Sequence, residues 1–391
     1  MNRSLWLLAV CQGLYLTNNV TFIAINGLVG LALAPLGWMA TLPVMGYVVG
    51  GALSTGVVAR TQQRWGRQRS FQAGLLVAML SALLCAWAAI TRDFWLLCAA
   101  TVVAGYYNAN AGLYRFAAAE LADPPSREKA VSLVMAGGLL GAVIGPNLAA
   151  RTRDLFAVPF AGAYLALAVV AVLAMVLMAF LRFPPPPARA TLGPSRPLSE
   201  VMRQPAFIVA AACGALGFGV MNLLMAATPI AMQQCGLPFS DAALVLEWHV
   251  IGMFAPGFFT GSLIKRFGAL PVMGAGVLLN LACIAVALSG VQLHQFAIAL
   301  FLLGVGWNFL FTGSTTLSLS TYRPQERDKA QGALNFFVMA TLALSSLASG
   351  VLVTTSGWAL LNWGSLLPVA VTAGALAWLA LRQRRTAGAA A

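Results

Sequence analysis

Charged residues are scarce in this chain. Only 8% of its 391 residues are charged, whereas a soluble domain carries about 25%. Carboxylates are rarest, with ten Asp and Glu against 23 Lys and Arg, and there are only two His. So few charges cannot cover the surface of a water-soluble protein of this size. The composition therefore excludes soluble enzymes, nucleic-acid-binding domains and secreted disulfide scaffolds, and it leaves an integral membrane protein.

Several sequence signatures of chemistry are also absent. The six Cys form no C-x-x-C pair, which excludes zinc-finger and thioredoxin-like sites. There is no phosphate-binding G-x-x-x-x-G-K-[ST] loop, which argues against an ATP-driven pump. No catalytic triad or hydrolytic constellation is visible. We interpret the chain as a non-enzyme without a permanently bound cofactor.

Long apolar runs make up most of the chain. Hydrophobic residues account for 60% of it, and a membrane-spanning helix needs about 20 apolar residues in a row. Twelve such runs predict an all-α membrane protein with twelve transmembrane helices. They fall at 5–33, 37–59, 70–91, 94–119, 129–150, 157–181, 206–233, 240–264, 270–290, 294–319, 329–354 and 358–381.

A proline-rich segment interrupts these runs once, in the middle of the chain. Four consecutive prolines follow Phe183, and Pro194 and Pro197 come soon after. Such a segment cannot be a spanning helix. It predicts three parts: a six-helix bundle at 1–182, a cytoplasmic linker at 183–203 and a second six-helix bundle at 204–391.

The net charge of +13 is unevenly distributed between the two sides of the predicted membrane. One side receives only Arg92, Arg151 and Arg153. The other side receives most of the rest: Arg60, Arg64, Arg67, Arg69, Arg127, Lys129, Arg182, Arg189, Arg196, Arg203, Lys265, Arg266, Arg323, Arg327, Lys329, Arg382, Arg384 and Arg385. This positive-inside bias predicts a multi-pass protein with both termini in the cytoplasm. The basic charge thus reflects the orientation of the chain in the membrane. We expect membrane lipid, and no nucleic acid, as its partner.

One loop motif occurs once in each half. Residues 64–69 read RWGRQR, and residues 261–268 read GSLIKRFG. Both resemble the loop motif G-x-L-a-D-R-x-G-R-[KR] of the major facilitator superfamily, although Gln63 and Lys265 stand at the Asp position. The resemblance implies that family's fold of two six-helix halves. It also implies alternating access to a site near the membrane midplane.

Ionisable side chains inside a membrane are costly and mark function. Nine of the ten acidic residues fall in predicted loops or at span ends, and only Glu247 sits well within a span. His249 follows two residues later and shares a helix face with Met253. The preceding span carries a second pair at the same spacing, Met221 and Met225.

The two pairs are predicted to lie at one depth. Both are about 15 residues from the basic ends of their spans, and consecutive helices are usually neighbours. Three thioethers and an imidazole suit the soft cation Cu(I). The alternative is that Met is ordinary membrane packing and that the buried His forms a hydrogen bond between helices.

The motifs M-x-x-x-M and H-x-x-x-M in this frame resemble those of CcoA-type copper importers of the major facilitator superfamily. The resemblance implies import of copper across the bacterial inner membrane, for assembly of cbb-type cytochrome c oxidase. Met221, Met225, His249 and Met253 would then be the metal ligands. Copper would be the transported substrate, and a cytoplasmic copper chaperone or thiol reductant would receive it.

Other residues have candidate roles around this site. Cys213 and Cys235 stand at places that match the copper importers, and they are candidates for relay ligands or a redox pair, with packing as the alternative. Glu247 is a candidate for proton coupling. Arg115 is expected to reach the membrane surface or to pair with Glu120. Polar residues of the first half are expected to line the cavity or to bond between helices: Asn18, Asn19, Tyr107, Asn108 and Asn110.

Two other functions remain open at this point. The first is a transporter or exporter of small organic solutes or drugs, with Met and aromatic side chains lining an apolar cavity. The second is a membrane-bound assembly or copper-sensing protein that binds metal without transporting it.

Overall fold

The computed structural model describes residues 3–123, 127–183 and 196–388, and this part of the chain is helical without any strand. The first half contains α1 (Arg3–Leu33), α2 (Leu42–Thr91), α3 (Phe94–Ala111), α4 (Tyr114–Glu120), α5 (Arg127–Thr152) and α6 (Ala161–Ala179). The second half contains α7 (Leu198–Met202), α8 (Pro205–Gln234), α9 (Phe239–Phe254), α10 (Gly257–Phe267), α11 (Ala269–Leu288), α12 (Leu293–Leu319), α13 (Arg327–Thr355) and α14 (Gly357–Gly388).

Helix α2 is too long to cross a membrane once. Its 50 residues would extend about 75 Å, more than twice the thickness of the hydrocarbon core. The helix breaks at Gly66, whose φ of 79° and ψ of 170° suit glycine because it has no Cβ. The sequence predicted two spans with a loop at 60–69. In the structure the residues on both sides of Gly66 are helical, so the chain turns at this single residue.

Two predicted spans are made of two helices each. α3 and α4 are separated at residues 112–113, and α9 and α10 are separated at residues 255–256, where Pro256 cannot continue the helix. Ten helical stretches of the described chain are long and apolar enough to cross a membrane. One of these stretches contains α2, which forms two spans because it breaks at Gly66. α3 together with α4 forms one further span. The prediction of twelve spans is confirmed.

Glycines let the first-half helices approach closely. A Cβ at Gly137 of α5 would overlap the carbonyl oxygen of Ala9 in α1. A Cβ at Gly141 would lie 2.5 Å from the backbone nitrogen of Thr17. Side chains at these positions would force α1 and α5 apart.

The predicted linker lies largely outside the described residues, since 184–195 belong to the part left undescribed. Its last residues are fixed to the second half. The Arg196 guanidinium donates to the Glu326 carboxylate at 2.7 Å, and the backbone N–H groups of Arg196 and Arg323 donate to it at 3.0 and 2.9 Å. These hydrogen bonds, led by that from the Arg196 side chain, lower the pKa of Glu326 to about 2.

The two halves meet at the end of the bundle that holds residues 34–41. The Thr41 hydroxyl donates to the carbonyl of Ser346 in α13 at 2.5 Å and accepts from the N–H of Gly350 at 3.0 Å. Phe160 of the first half lies edge-on to Phe239 of the second, with ring centroids 5.0 Å apart. We call this end of the bundle the closed end.

Toward the opposite end, which carries the basic loops, the halves separate. Val48 of α2 still packs against Val338 and Leu342 of α13. Two turns further on, a Cβ built at Gly56 of α2 or at Gly332 of α13 would meet no atom within 4 Å. Because α2 and α13 touch near one end only, a cleft opens between the halves toward the basic loops.

Candidate functional site

The four predicted metal ligands are all buried, and they lie on two helices. Met221 and Met225 belong to α8, and His249 and Met253 belong to α9. Met221, Met225 and Met253 belong to one large cluster of buried apolar side chains, which ordinary packing is enough to explain. The four-residue copper site therefore stays a prediction.

The two helices that carry these pairs touch each other, but neither is the other's main neighbour. α8 packs chiefly against α12, α13 and α14, whereas α9 packs chiefly against α12 and against α5 of the first half. α12 is thus shared by both helices, and the direct contact between α8 and α9 is small. For α8 and α9, therefore, being consecutive in sequence does not decide which faces meet.

His249 is fully buried against α12. Its Nδ1 lies 2.7 Å from the carbonyl oxygen of Leu300. Because a carbonyl only accepts, Nδ1 must carry the proton and Nε2 keeps its lone pair. Nε2 has no hydrogen-bond partner among the described residues. Gly304 permits this packing, since a Cβ there would overlap the carbonyl oxygen of His249.

Glu247 takes part in a hydrogen bond between the two halves. Its Oε2 accepts from Asn147 Nδ2 of α5 at 2.8 Å. The same amide nitrogen donates to the carbonyl of Val143, one turn back along its own helix. Asn147 follows Pro146, which lies inside α5. The carboxylate singled out in the sequence therefore lies at a contact that must break when the halves part.

The two candidate cysteines lie at opposite ends of α8. Cys213 is buried and its thiol lies 3.9 Å from the carbonyl of Thr372, while Cys235 is exposed at the C-terminal cap. They are 22 residues apart on one helix, which corresponds to about 33 Å. A disulfide needs Cα atoms within about 7 Å, so these two cysteines cannot form a redox pair with each other.

A cluster of aromatic rings in the second half was missed by sequence reasoning. Trp307 and Phe311 of α12 stack with centroids 5.1 Å apart, and Phe218 of α8 lies edge-on to both at 5.1 and 5.4 Å. Phe254 of α9 contacts Trp307 at 6.2 Å. Trp307 is buried and its indole N–H finds no acceptor within the described chain. The spacing of Trp307 and Phe311, four residues apart on one helix, was the available signal.

Polar side chains occupy the corresponding region of the first half. The Tyr15 hydroxyl donates to Asn108 Oδ1 at 2.6 Å, which joins α1 to α3. Asn19 donates to the Tyr47 hydroxyl at 3.1 Å and to Asn108 at 3.5 Å. Tyr15, Asn19 and Asn108 stay partly exposed although they lie in the middle of their helices. The network both bonds between helices and presents polar groups.

The basic motif of the first half pairs with a carboxylate from another helix. Arg67, directly after the break in α2, binds Glu120 at the end of α4 through two nitrogens. The expected pairing of Arg115 with Glu120 is therefore wrong. The Arg115 guanidinium lies 4.9 Å from the ring centre of Phe116 instead.

Comparison with known proteins agrees with this architecture. The family model "Major Facilitator Superfamily" matches residues 5–255 and again residues 211–390. The chain spans 98% of the POT family transporter PepTSo with a TM-score of 0.73 and 11% identity. It also spans 98% of a bacterial homologue of the human lysosomal transporter Spinster, with a TM-score of 0.72 and 15% identity. These likenesses show the fold.

Similar sequences come from two bacteria. The riboflavin transporter RfnT of Brucella anthropi is 37% identical over 366 residues, which is 92% of each chain. The uncharacterised MFS-type transporter YddS of Bacillus subtilis is 27% identical over 342 residues, 83% of this chain and 78% of that one. The chain belongs to the major facilitator superfamily and is a multi-pass secondary transporter.

Proposed function

We propose that this chain transports riboflavin, or a planar organic solute of the same kind, across the bacterial inner membrane by alternating access. The observation that supports it most is the 37% identity to a riboflavin transporter, spread over nine-tenths of both chains. The aromatic cluster and the polar network on the two sides of the cleft fit a solute with a flat ring and hydroxyl groups.

The proposal includes an orientation and a division of the chain. The cleft opens at the end with the basic loops, which the positive-inside rule places in the cytoplasm together with both termini. The bundles at 1–182 and 204–391 would rock about the solute, with 183–203 as the cytoplasmic linker. In this arrangement the closed end faces the periplasm.

The direct test is uptake of radiolabelled riboflavin by cells that lack their own flavin uptake system. Cells that express the chain are expected to accumulate the label, and excess unlabelled riboflavin should compete. The control is the same cells carrying the empty vector. Uptake no greater than in the control would contradict the proposal.

Copper import remains a second candidate because of one observation. The Nε2 lone pair of buried His249 has no partner in the described chain, and Met253 lies one turn away on the same helix. Neutral imidazole and thioether are both ligands for Cu(I). In this reading the imported copper would pass to a chaperone or thiol reductant and supply cbb-type oxidase.

The same cells distinguish copper from flavin. Copper import predicts accumulation of radioactive copper that His249→Ala or Met221→Ala abolishes. Riboflavin transport predicts copper accumulation equal to that of the control and unchanged by either substitution. Cys213, Cys235 and Met225 would be tested as ligands only if copper accumulated.

The proton is the proposed coupling ion, with Glu247 as the group that carries it. Its carboxylate lies in the contact between the halves, where a change of charge would alter the Asn147 hydrogen bond. Glu247→Gln is expected to abolish the pH dependence of riboflavin uptake. Uptake that follows the same pH profile in this variant and in the unmodified chain would exclude Glu247 as the proton carrier.

A further inference from the structure

The polar network and the aromatic cluster occupy equivalent places in the two halves. Asn108 and Trp307 each lie 14 residues after the first residue of their helices, Phe94 and Leu293. Tyr15 lies 12 residues after the start of α1, and Phe218 lies 13 residues after the start of α8. At equivalent positions, therefore, the first half carries a phenol and an amide, and the second half carries a phenyl ring and an indole.

The two sets also lie at one depth. Near the closed end α1 and α8 touch, where a Cβ at Gly27 would lie 3.5 Å from Ile230 Cδ1. Tyr15 and Phe218 each precede this contact by 12 residues, about 18 Å along the helices. Phe218 packs against the cluster that contains Val48 of the first half. The aromatic set thus borders the place where the halves begin to separate.

The Trp307 indole supplies a second, independent observation. Only 6% of this residue is exposed, and its Nε1–H has no acceptor in the described chain. A buried donor without a partner is unfavourable, so such a group is kept where something binds it. Its neighbours Phe218 and Phe311 are only partly buried, so a ligand that displaces their edges reaches the indole.

We propose that the solute binds across the cleft with its ends divided between the halves. The flat ring lies against Phe218 and Phe311, and a ring carbonyl accepts from the Trp307 N–H. The hydroxylated chain of the solute binds the amides and phenol of Asn19, Asn108 and Tyr15. This assignment rests on the proposed transport of a flavin-like solute and says which residues recognise which part of it.

Equilibrium binding to the purified full chain tests the division. Riboflavin carries the ring and the hydroxylated chain, whereas lumichrome carries the ring alone, and the fluorescence of both is quenched when they stack on aromatic side chains. Phe311→Ala is expected to weaken the binding of both ligands about tenfold, and Trp307→Phe is expected to weaken it about threefold to tenfold. Asn108→Ala should weaken riboflavin by a similar factor and leave lumichrome unchanged.

Matched controls separate binding from folding. Trp363→Phe and Phe180→Ala make the same changes at exposed positions, and both variants should bind like the unmodified chain. Trp307→Phe removes a donor that has no partner within the described residues, so its thermal stability should hold. Size-exclusion elution and helical circular dichroism must match in every variant that is compared.

Two results overturn the inference and leave riboflavin transport standing. One is riboflavin binding and uptake that Phe311→Ala and Trp307→Phe do not change. The other is an Asn108→Ala variant that loses lumichrome as strongly as it loses riboflavin. If the unmodified chain neither binds nor takes up riboflavin, the proposed function fails and this assignment fails with it.

Discussion

The hydrogen bond between Asn147 and Glu247 is expected to hold the closed end together. It joins α5 to α9, so it exists only while these helices touch. A hydrogen bond to a carboxylate contributes about 1.5–3 kcal/mol, and partial exposure of Glu247 reduces this to about 1–2 kcal/mol. Asn147→Ala should therefore shift the equilibrium between closed and open about 5- to 30-fold toward open. The second bond of Asn147, to Val143, lies within α5 and is common to both states.

Spin-label distances across the closed end measure this shift. Labels at Leu155 and Ser240 are exposed and belong to different halves. Asn147→Ala should increase the longer-distance population, and Glu247→Gln should increase it less, because an amide oxygen still accepts. The single variant Glu247→Ala and the double variant Asn147→Ala with Glu247→Ala complete the cycle and give the coupling energy. An unchanged distance distribution, or a coupling below about 0.3 kcal/mol, would refute the reasoning.

Three further predictions concern the ends of the bundle and the linker. Gly350→Ala, whose Cβ would overlap the Thr41 hydroxyl at the closed end, should destabilise that end by about 1–3 kcal/mol in the same distance measurement, while Gly27→Ala should not. Glu326→Gln should release Arg196 and raise hydrogen exchange at 196–204. Because the pKa of Glu326 is lowered, the stability that this carboxylate contributes is complete above its ordinary pKa near 4.5 and is lost only as the pH falls toward 2. In the unmodified chain, exchange protection at 196–204, corrected for the intrinsic rate, should therefore be equal at pH 5 and pH 8. Cys235 should react with a membrane-impermeant maleimide added to intact cells. Labelling only after lysis would contradict the proposed orientation, in which the closed end faces the periplasm.

Composition and hydropathy predict the membrane-spanning helices because the hydrocarbon core imposes one length and one polarity on each of them. Those properties are local, so twelve spans are readable without knowledge of the packing. Breaks are harder to predict, because residues 60–69 are mostly the good helix formers Arg and Gln. The structure turns the chain at that single glycine and keeps its neighbours helical.

Which faces meet depends on the order of helices in space, and hydrophobic periodicity does not contain that order. His249 and Met253 share a helix face as predicted, but His249 bonds to α12, at the carbonyl oxygen of Leu300. Met221 and Met225 lie on α8, whose main neighbours are other helices. The proposed metal site depended on two helices being adjacent because they are consecutive, and here a later helix packs against both.

The four-residue spacing of Trp307 and Phe311 was a weak signal of the aromatic cluster, and its place in the fold becomes visible when the two halves are compared position by position. Phe218, Trp307 and Phe311 are unremarkable in a chain with 21 Phe and ten Trp. Their equivalence to Tyr15 and Asn108 emerges from the helix boundaries, which the sequence predicts to within a few residues. Charge scarcity pointed to Glu247 and His249, and polarity within a span pointed to Asn19 and Asn108, whereas the Phe and Trp side chains had only their spacing as a signal.

Counterflow in proteoliposomes tests the central claim most directly. Vesicles loaded with unlabelled riboflavin and containing the purified chain should accumulate labelled riboflavin from a dilute external solution, without ATP or another energy source. Vesicles with the Trp363→Phe chain should do the same, and vesicles with the Phe311→Ala chain should accumulate markedly less. Labelled riboflavin that never rises above the level in protein-free vesicles, together with copper accumulation that requires His249, would contradict the account.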